Sequence, residues 1–437
     1  MFGWRGQLLR VDLDNGAITK EPLNLDVAKE YLGGRGLGAY LHGEEVPVSI
    51  APLSAENHLI FVTGPLTGTL APNGGRYTVV TRALPTGEIS AASISGKWGS
   101  ELKFAGFDGI IIEGKAAEPV YLWIKDGKAE LRSAAHLAGK TVSDTTEALI
   151  KETNTRAAVS CIGPAGENEV NCSVIVSDYF SAAGSSGAGA VMGSKHLKAV
   201  VVCGMEGFRV ADREKLLKSA NELRSFMKTK PIAAKGSLLC DSVLVADSMT
   251  WDPEPPDLKH ARTRGCFSCA TCFSSFTYDG GKEYLPLLAG STPGELSERM
   301  KEYRYFTDLG LDFAAAKTIL VALGKEAEGK HAELARKLAG GEKIGNKETN
   351  GNDQNIDRGP CMVAGYAIVP KVAAGNGQDE ATTDLMSVLD SVGLCPFLVA
   401  GISMEKIAEL LTDATGVAFM PDDMTQAGRR ISWIFRQ

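Results

Sequence analysis

The sequence predicts an α+β protein in which a sheet-rich N-terminal domain, residues 1–206, precedes a mainly helical C-terminal region, residues 207–437. Short apolar runs bounded by turn residues fill the chain before Gly207, which is typical of strands. After Gly207 the apolar residues recur at helical spacing. The length of 437 residues suits two or three domains, and 49 glycines indicate many tight turns.

Strands are expected in the N-terminal half where β-branched and aromatic residues lie between turn formers. They are Leu9–Leu13, a strand from Ile18 onward, Leu59–Thr63, Tyr77–Thr81 and Ile110–Glu113. Val120–Lys125 and Lys128–Arg132 form the clearest hairpin. The Asp126-Gly127 pair between them supplies the positive φ angles that a two-residue loop requires.

Helices are expected mainly in the C-terminal region. They are Asp212–Lys228, Pro293–Tyr305, Phe313–Glu326, His331–Leu338, Thr382–Leu389 and Met404–Thr412. In the N-terminal half, Asp144 followed by Glu147 predicts a capping box that opens a helix through Leu149 and Lys151. The stretches 265–281 and 340–359 are too rich in turn formers to be helical.

Composition excludes several classes of protein. A net charge of -7 argues against a nucleic-acid partner, which would require a basic face. The longest apolar stretches, such as Ala199–Cys203, fall far short of the roughly 20 residues needed to span a bilayer. Without a secretory apolar segment near Arg5 and Arg10, the cytoplasm is expected. Nine cysteines in such a chain indicate thiols, metal binding or catalysis rather than a disulfide framework.

Three cysteines, Cys266, Cys269 and Cys272, lie within seven residues. Zinc sites more often use two separated pairs, whereas three close cysteines with one distant partner are typical of ferredoxin-type loops. The spacing therefore favours one [4Fe-4S] cluster over zinc. Cys395 is the best fourth ligand because it follows a helix end and Gly393 allows the chain to turn, although Cys361 is also available.

The glycine-rich segments are individually weak signals. Gly33-Gly34-Arg35-Gly36, Gly74-Gly75-Arg76 and Gly184–Gly193 each fit ordinary turns. Together, glycine-rich loops on a sheet with Arg76 nearby are what an extended phosphate-bearing cofactor requires. Asp390, shortly before Gly393, is expected to cap a loop or to bind a heterocycle.

With these residues located, the chain resembles the tungsten-containing aldehyde ferredoxin oxidoreductase family. The N-terminal half carries the closer match, through Tyr31-Leu-Gly-Gly-Arg-Gly-Leu-Gly38, Gly64-Pro-Leu-Thr-Gly-Thr69, Gly74-Gly-Arg-Tyr77, Trp98-Gly-Ser-Glu-Leu-Lys-Phe-Ala-Gly-Phe-Asp108, Ile162-Gly-Pro-Ala-Gly-Glu-Asn168 and Gly189-Ala-Val-Met-Gly-Ser-Lys195. The C-terminal half matches more thinly, through Cys266 to Cys272, Leu309-Gly-Leu-Asp312, Arg358-Gly-Pro-Cys361, Asp390-Ser-Val-Gly-Leu-Cys395 and Gly428-Arg-Arg-Ile431.

The resemblance implies a tungsten or molybdenum bis-pyranopterin between the two halves, with one [4Fe-4S] cluster close by. The residues implied to contact pterin or phosphate from the N-terminal side are Arg76, Ser93, Ser95, Ala182 and Gly184. Those implied on the helical side are Asp312, Arg358, Asp390 and Leu394. Cys395 falls on the family's remote cluster ligand, in agreement with its position after a helix end.

Several positions depart from the family pattern. The three-cysteine run is one residue shorter before its last cysteine. Ser181 and Ser185 stand where members usually carry arginines, and Ala364 replaces another basic residue. Met362 occupies the position of the active-site histidine, and a methionine cannot transfer a proton. Thr307 replaces the first acid of a pterin motif. The shortened loop still suits a cubane cluster.

Three hypotheses for the function follow. The first is an oxidoreductase that converts an aldehyde or related oxo compound to its acid, with electrons leaving through the cluster to ferredoxin or another electron-transfer subunit. Glu283 would then be the best remaining proton-transfer residue, because Glu283-Tyr284 resembles the family's Glu-Tyr pair. The second is a non-catalytic paralogous subunit that keeps the fold and the cluster. The third is a zinc-stabilised scaffold. A homodimer or a hetero-complex fits the first two.

Overall fold

The computed structural model describes residues 2–84, 86–179, 181–184, 186–229, 266–268, 276–279, 283–286, 302–323, 327, 329–342, 344, 377–395, 398 and 402–436. Two six-stranded sheets occupy the N-terminal half, and the described residues beyond 206 are mostly helical. The chain is therefore an α+β protein, as the sequence predicted.

The first sheet has the strand order β2-β1-β6-β3-β4-β5. Its strands are β1 (Gln7–Asp12), β2 (Ala17–Pro22), β3 (Leu59–Thr63), β4 (Tyr77–Arg82), β5 (Ile89–Ile94) and β6 (Gly109–Glu113). In this sheet β1 and β6 pair in parallel, and the other four pairs of neighbouring strands are antiparallel. Strands β3 and β4 are buried along their whole length, because helices and the second sheet cover both faces.

The second sheet has the strand order β11-β10-β9-β12-β7-β8. Its strands are β7 (Val120–Lys125), β8 (Lys128–Ser133), β9 (Ala158–Ile162), β10 (Ile175–Ser177), β11 (Ser181–Ala183) and β12 (Leu197–Cys203). The predicted hairpin is confirmed. Asp126 and Gly127 have φ angles of 44° and 76° between β7 and β8, as the tight loop requires.

Six α-helices connect these strands. They are α1 (Leu25–Tyr31), α2 (Gly34–Glu45), α3 (Trp98–Phe104), α4 (Val142–Glu152), α5 (Pro164–Glu167) and α6 (Ala188–Ser194). The capping prediction for α4 was wrong. Thr141 is the N-cap, and its side chain accepts a hydrogen bond from the backbone N–H of Asp144. A threonine hydroxyl three residues earlier thus supplies the cap.

The helices described after residue 206 are α7 (Arg213–Thr229), α8 (Phe313–Ala322), α9 (His331–Ala339), α10 (Gly377–Val392), α11 (Met404–Thr415) and α12 (Pro421–Ile434). Residues 302–308 are also helical, and β13 (Phe276–Asp279) pairs with β14 (Glu283–Pro286). Five of the six predicted helices are confirmed in position. Helix α10 is longer than the predicted Thr382–Leu389. The sixth predicted helix, Pro293–Tyr305, is described only from residue 302. The sequence analysis did not predict helix α12. The signal for its start was Pro421, because proline is common in the first turn of a helix.

An aromatic cluster joins the two sheets. Tyr77 on β4 packs 4.3 Å from Trp98 between ring centroids, and its hydroxyl lies 2.9 Å from Ser160 Oγ on β9 and 2.5 Å from Ser177 Oγ on β10. Burial raises the pKa of the Tyr77 phenol, so this hydroxyl remains protonated. These contacts fix β4 against the second sheet.

A second apolar core runs between the halves of the chain. It packs Leu37, Ile60 and Val62 from the N-terminal half with buried residues of α10, α11 and α12. Among the described residues, no helix combines the length and apolarity that crossing a membrane would take.

We predict that His42 makes the protein acid-sensitive. His42 is 1% exposed, its Nε2 lies 3.1 Å from Asn57 Oδ1, and burial lowers its pKa to about 4. Between about pH 6.5 and pH 4 the unfolded chain binds a proton that the folded chain does not. Stability should therefore fall as the pH falls through this window, by about 3 kcal/mol from this group.

The measurement is the thermal unfolding midpoint of the unmodified chain and of His42→Gln across pH 4 to 7. The glutamine retains an amide for Asn57 but does not titrate, so the acid-dependent loss should be smaller. His136→Gln, at a half-exposed histidine, is the control. If the unfolding midpoint of His42→Gln fell with pH as steeply as that of the unmodified chain, the prediction would be contradicted.

Candidate functional site

The C-terminal end of helix α10 enters a notch lined by glycines of the N-terminal half. A Cβ atom on Gly64 would lie 2.0 Å from the carbonyl carbon of Val392, and one on Gly34 would lie 2.2 Å from the carbonyl oxygen of Asp390. A Cβ on Gly33 would lie 2.9 Å from the Ser391 carbonyl oxygen. Real Cβ atoms do not approach other atoms so closely, so only glycines permit this contact.

Hydrogen bonds lock the helix end in this notch. The backbone N–H of Leu66 donates to the Val392 carbonyl at 3.0 Å, and that of Gly36 donates to Ser391 Oγ at 3.0 Å. Gly393 follows the helix with a φ of 86°, and Leu394 N–H donates back to the Leu389 carbonyl. The left-handed glycine ends the helix, as the sequence predicted for the turn before Cys395.

Arg76 is a buried cation beside this helix end. Its side chain is 2% exposed. One terminal nitrogen donates to Ser95 Oγ at 2.6 Å and the other to the Ser93 carbonyl at 2.9 Å. Its Nε has no hydrogen-bond partner among the residues described. A buried N–H without a partner costs about 1 to 3 kcal/mol, so this atom is poised to bind an acceptor.

Asp390, on helix α10, lies opposite Arg76. Its Oδ1 lies 4.0 Å from Arg76 Nε and has no hydrogen-bond partner within the described part of the chain. Its Oδ2 lies 3.9 Å from a terminal nitrogen of Arg35. The carboxylate therefore stands between two arginines, at distances too long for hydrogen bonds.

Arg35 is the site residue that the sequence interpretation missed. Its guanidinium carbon lies 4.0 Å from the ring centroid of Phe435, and its Nε is buried without a hydrogen-bond partner among the described residues. Burial lowers the pKa of Arg35, and the Asp390 carboxylate opposes this. The available signal was a cation inside the Gly33-Gly34-Arg35-Gly36 segment. The glycine pattern fits an ordinary turn, but the segment opens helix α2 instead.

Serines complete the N-terminal wall. Ser93 Oγ lies 3.1 Å from Thr78 Oγ1, and the backbone N–H of Ser95 donates to Ser181 Oγ at 2.9 Å. Ser181 begins β11, which also contains the buried Ala182 and precedes Gly184. The structure therefore brings Arg76, Ser93, Ser95 and Asp390 together, with the β11 edge beside them.

Asp312 is placed by a different set of contacts. Its backbone N–H donates to the Cys172 carbonyl at 2.8 Å, and its Oδ1 accepts from the Ala315 N–H at 3.0 Å. The side chain thus caps helix α8. Leu394 is fully buried in the core next to Gly393. Among the described residues, both make structural contacts, and their contact with a cofactor stays a prediction.

The two described cysteines of the predicted cluster lie on segments that share one neighbour, Asn73. The Asn73 N–H donates to the Ser268 carbonyl, two residues after Cys266, at 2.8 Å. The Cys395 N–H donates to the Asn73 carbonyl at 3.1 Å. Cys266 and Cys395 are both of intermediate exposure.

The remaining predicted residues are not placed in full. Cys269, Cys272 and Arg358 lie outside the described residues, as do Cys361 and Met362. Glu283 begins β14, where only the backbone is described. Within the described ranges, no three His, Cys, Asp or Glu side chains come together as a metal site. Because two of the four predicted ligands, Cys269 and Cys272, lie outside the described residues, the ligand set stays a prediction.

Comparisons with known proteins agree with this architecture. Residues 8–204 match the model of the aldehyde ferredoxin oxidoreductase N-terminal domain, and residues 356–437 match that of domains 2 and 3 of the same family. A fold of two sheets followed by helices thus belongs here to a known class of oxidoreductases. The chain is a member of the aldehyde ferredoxin oxidoreductase family.

Individual relatives support the assignment. The tungsten-containing aldehyde ferredoxin oxidoreductase of Pyrococcus horikoshii is 31% identical over 535 aligned positions, covering 99% of this chain and 88% of that protein. Since the alignment is longer than this chain, the relative carries segments that this chain lacks. The enzyme of the same description from Pyrococcus abyssi is 48% identical over 237 residues, which cover 54% of this chain but only 39% of that protein.

Two further proteins are similar. The WOR-like subunit of aliphatic sulfonate oxidoreductase from Pyrococcus furiosus is 37% identical over 233 residues, or 49% of this chain and 37% of that subunit. A solved structure titled the active site complex BamBC of benzoyl coenzyme A reductase superposes with a TM-score of 0.77. The two sequences are 23% identical, and the match covers 100% of this chain and 88% of the chain in that structure. At this identity the likeness supports the fold alone.

We predict that Gly64→Ala destabilises the docking of helix α10. A methyl group there meets the backbone of Val392 and Gly393 at 2.0 to 2.3 Å, so the helix end must move. The unfolding midpoint should fall by several degrees, as for other overpacked cores that lose about 1 to 3 kcal/mol.

Gly207→Ala is the matched control, because nothing lies within 4 Å of a Cβ at Gly207. Calorimetry of both variants provides the measurement. A midpoint for Gly64→Ala equal to that of Gly207→Ala would show that the notch is not tightly packed.

Proposed function

We propose that this chain is an iron–sulfur oxidoreductase that holds a tungsten or molybdenum bis-pyranopterin between residues 1–206 and residues 207–437, with one [4Fe-4S] cluster beside it. It oxidises an aldehyde or related oxo group and passes electrons through the cluster to ferredoxin or another electron-transfer subunit. One observation carries the proposal. Arg76 Nε and Asp390 Oδ1 lie 4.0 Å apart, both buried and both without hydrogen-bond partners among the described residues.

The described residues fit such a cofactor. A buried arginine and a buried carboxylate held 4.0 Å apart are costly, because Arg76 Nε and Asp390 Oδ1 gain no hydrogen bond for the water they lost. A pterin offers ring N–H donors for a carboxylate and phosphate oxygens for a guanidinium. Binding it would satisfy both atoms.

Each residue has a definite role in this proposal. Arg76 would hold phosphate or the ring oxygen, since its two terminal nitrogens are already oriented by Ser95 and Ser93. Asp390 would accept from the pterin ring on the helical side. The backbone at Ala182 and Gly184 would contact the phosphate end, where Ser181 can donate a neutral hydrogen bond in place of the family's arginine. Asp312, Leu394 and Arg358 would contact the second pterin.

The metal centre, when bound, supplies the two-electron chemistry by which an aldehyde and water become an acid, two protons and two electrons. The chain must move those protons. Because Met362 cannot do so, we propose Glu283 for this task. Cys266, Cys269, Cys272 and Cys395 would hold the cluster.

The alternative is a non-catalytic subunit that keeps the cluster for electron transfer or assembly. Met362 at the histidine position favours it, and so does the similarity to a protein named a WOR-like subunit. Elemental analysis of anaerobically purified protein separates the possibilities. Tungsten or molybdenum with iron supports the enzyme, iron alone supports the subunit, and zinc alone would overturn both.

We predict that Arg76→Gln abolishes pterin retention. The variant loses the charge-assisted contact, worth about 1.5 to 3 kcal/mol, so tungsten or molybdenum per chain should fall at least tenfold. Arg82→Gln is the control, because Arg82 is a buried arginine at the other end of β4 that contacts the carbonyls of Gly87 and Pro47. Equal loss in both variants would point to misfolding rather than to a pterin contact.

We also predict that Cys395→Ala removes the cluster. Loss of a thiolate ligand should take most of the iron and the broad visible absorption with it. Cys203→Ala, at a buried thiol in the core of the second sheet, should leave both unchanged. Loss of iron in Cys361→Ala but not in Cys395→Ala would transfer the role to Cys361.

A further inference from the structure

We infer that Asn73 is the positioning residue of the cluster site, and that its left-handed backbone conformation sets how the segments bearing Cys266 and Cys395 meet. The inference rests on the cluster of the proposed function. It concerns a residue that supplies no ligand and matches no expected cofactor contact.

The backbone of Asn73 forms hydrogen bonds to both cysteine-bearing segments. Its N–H donates to Ser268 O at 2.8 Å, and its carbonyl accepts from Cys395 N–H at 3.1 Å. Ser268 and Cys395 belong to distant parts of the chain, so the peptide groups on either side of Asn73 link them. A rotation of the Asn73 backbone would move its N–H and its carbonyl in different directions and would separate the two segments.

The conformation of Asn73 is one that most residues avoid. Its φ is 61°, and Asn73 is buried. Asparagine tolerates the left-handed region better than other residues with a Cβ, and glycine occupies it without penalty. The identity of this residue therefore contributes to the stability of the turn, beyond any contact that its side chain makes.

The neighbouring backbone cannot absorb a change at Asn73. Gly74 O accepts from Gly68 N–H at 2.9 Å, and a Cβ on Gly75 would lie 2.6 Å from Gly96 O and 2.9 Å from Phe267 Cβ. Phe267 N–H in turn donates to Gly96 O at 3.1 Å. The turn is packed between the cluster loop and β5, so strain at Asn73 would be passed to the cysteine segments.

The experiment compares Asn73→Ala with Asn73→Gly in the full-length chain, purified anaerobically and reconstituted with iron and sulfide. Both variants lose the side-chain amide, but only alanine adds the cost of a left-handed φ. The readouts are iron per chain, the electron paramagnetic resonance spectrum of the reduced cluster, and the rate of iron release to an Fe²⁺ chelator. Thermal unfolding of each variant checks that the chain is folded, which is expected since the added cost is smaller than the stability of an ordinary domain.

Asn73→Gly should match the unmodified chain in iron content and spectrum. Asn73→Ala should release iron about 5- to 30-fold faster and show a broadened or shifted spectrum. Equal behaviour of the two variants, whether both slow or both fast, would overturn the inference, because the backbone conformation would then not be the cause. Absence of iron from the unmodified chain would overturn the proposed cluster and this inference with it.

Discussion

The fit of one helix end into a glycine-lined notch is the constraint on which the site depends. Asp390 and Gly393 both belong to the end of α10, and Gly34 and Gly64 remove the Cβ atoms that would keep it away. The same contact buries Asp390 beside the two arginines and delivers Cys395 to Asn73. A shift of this helix end would therefore disturb the charged side chains beside it and the segment that bears Cys395 together.

The charged side chains beside this helix end are incompletely paired. Arg35, Arg76 and Asp390 carry a net positive charge into a region of low exposure, yet the ion-pair distances are near 4 Å. In a protein that used these groups only for stability, shorter hydrogen-bonded pairs would be expected, because an incompletely paired buried charge costs several kcal/mol. Such an arrangement is typical of a site that completes its hydrogen bonds with a ligand.

Local patterns predicted the parts of the fold that depend on local chemistry. The Asp126-Gly127 hairpin and the turn at Gly393 followed from positive-φ requirements, which neighbouring residues determine. The capping prediction at Asp144 failed because the helix begins earlier, at Val142, where Thr141 accepts the hydrogen bond from the Asp144 N–H. Arg35 was missed because its role depends on Asp390 and Phe435, which lie more than 350 residues away in sequence. No spacing rule within one segment reveals such a partner.

The hydrogen bond from Gly36 to Ser391 joins residues 355 positions apart in the chain. Synthesis proceeds from the N-terminus, so both sheets and Arg76 are complete long before helix α10 emerges. During that interval the notch stays open, and Arg76 is accessible from the side that Asp390 later closes. The order of synthesis thus makes the closing of the notch a late step, which waits for a helix made more than 300 residues after the glycines that receive it.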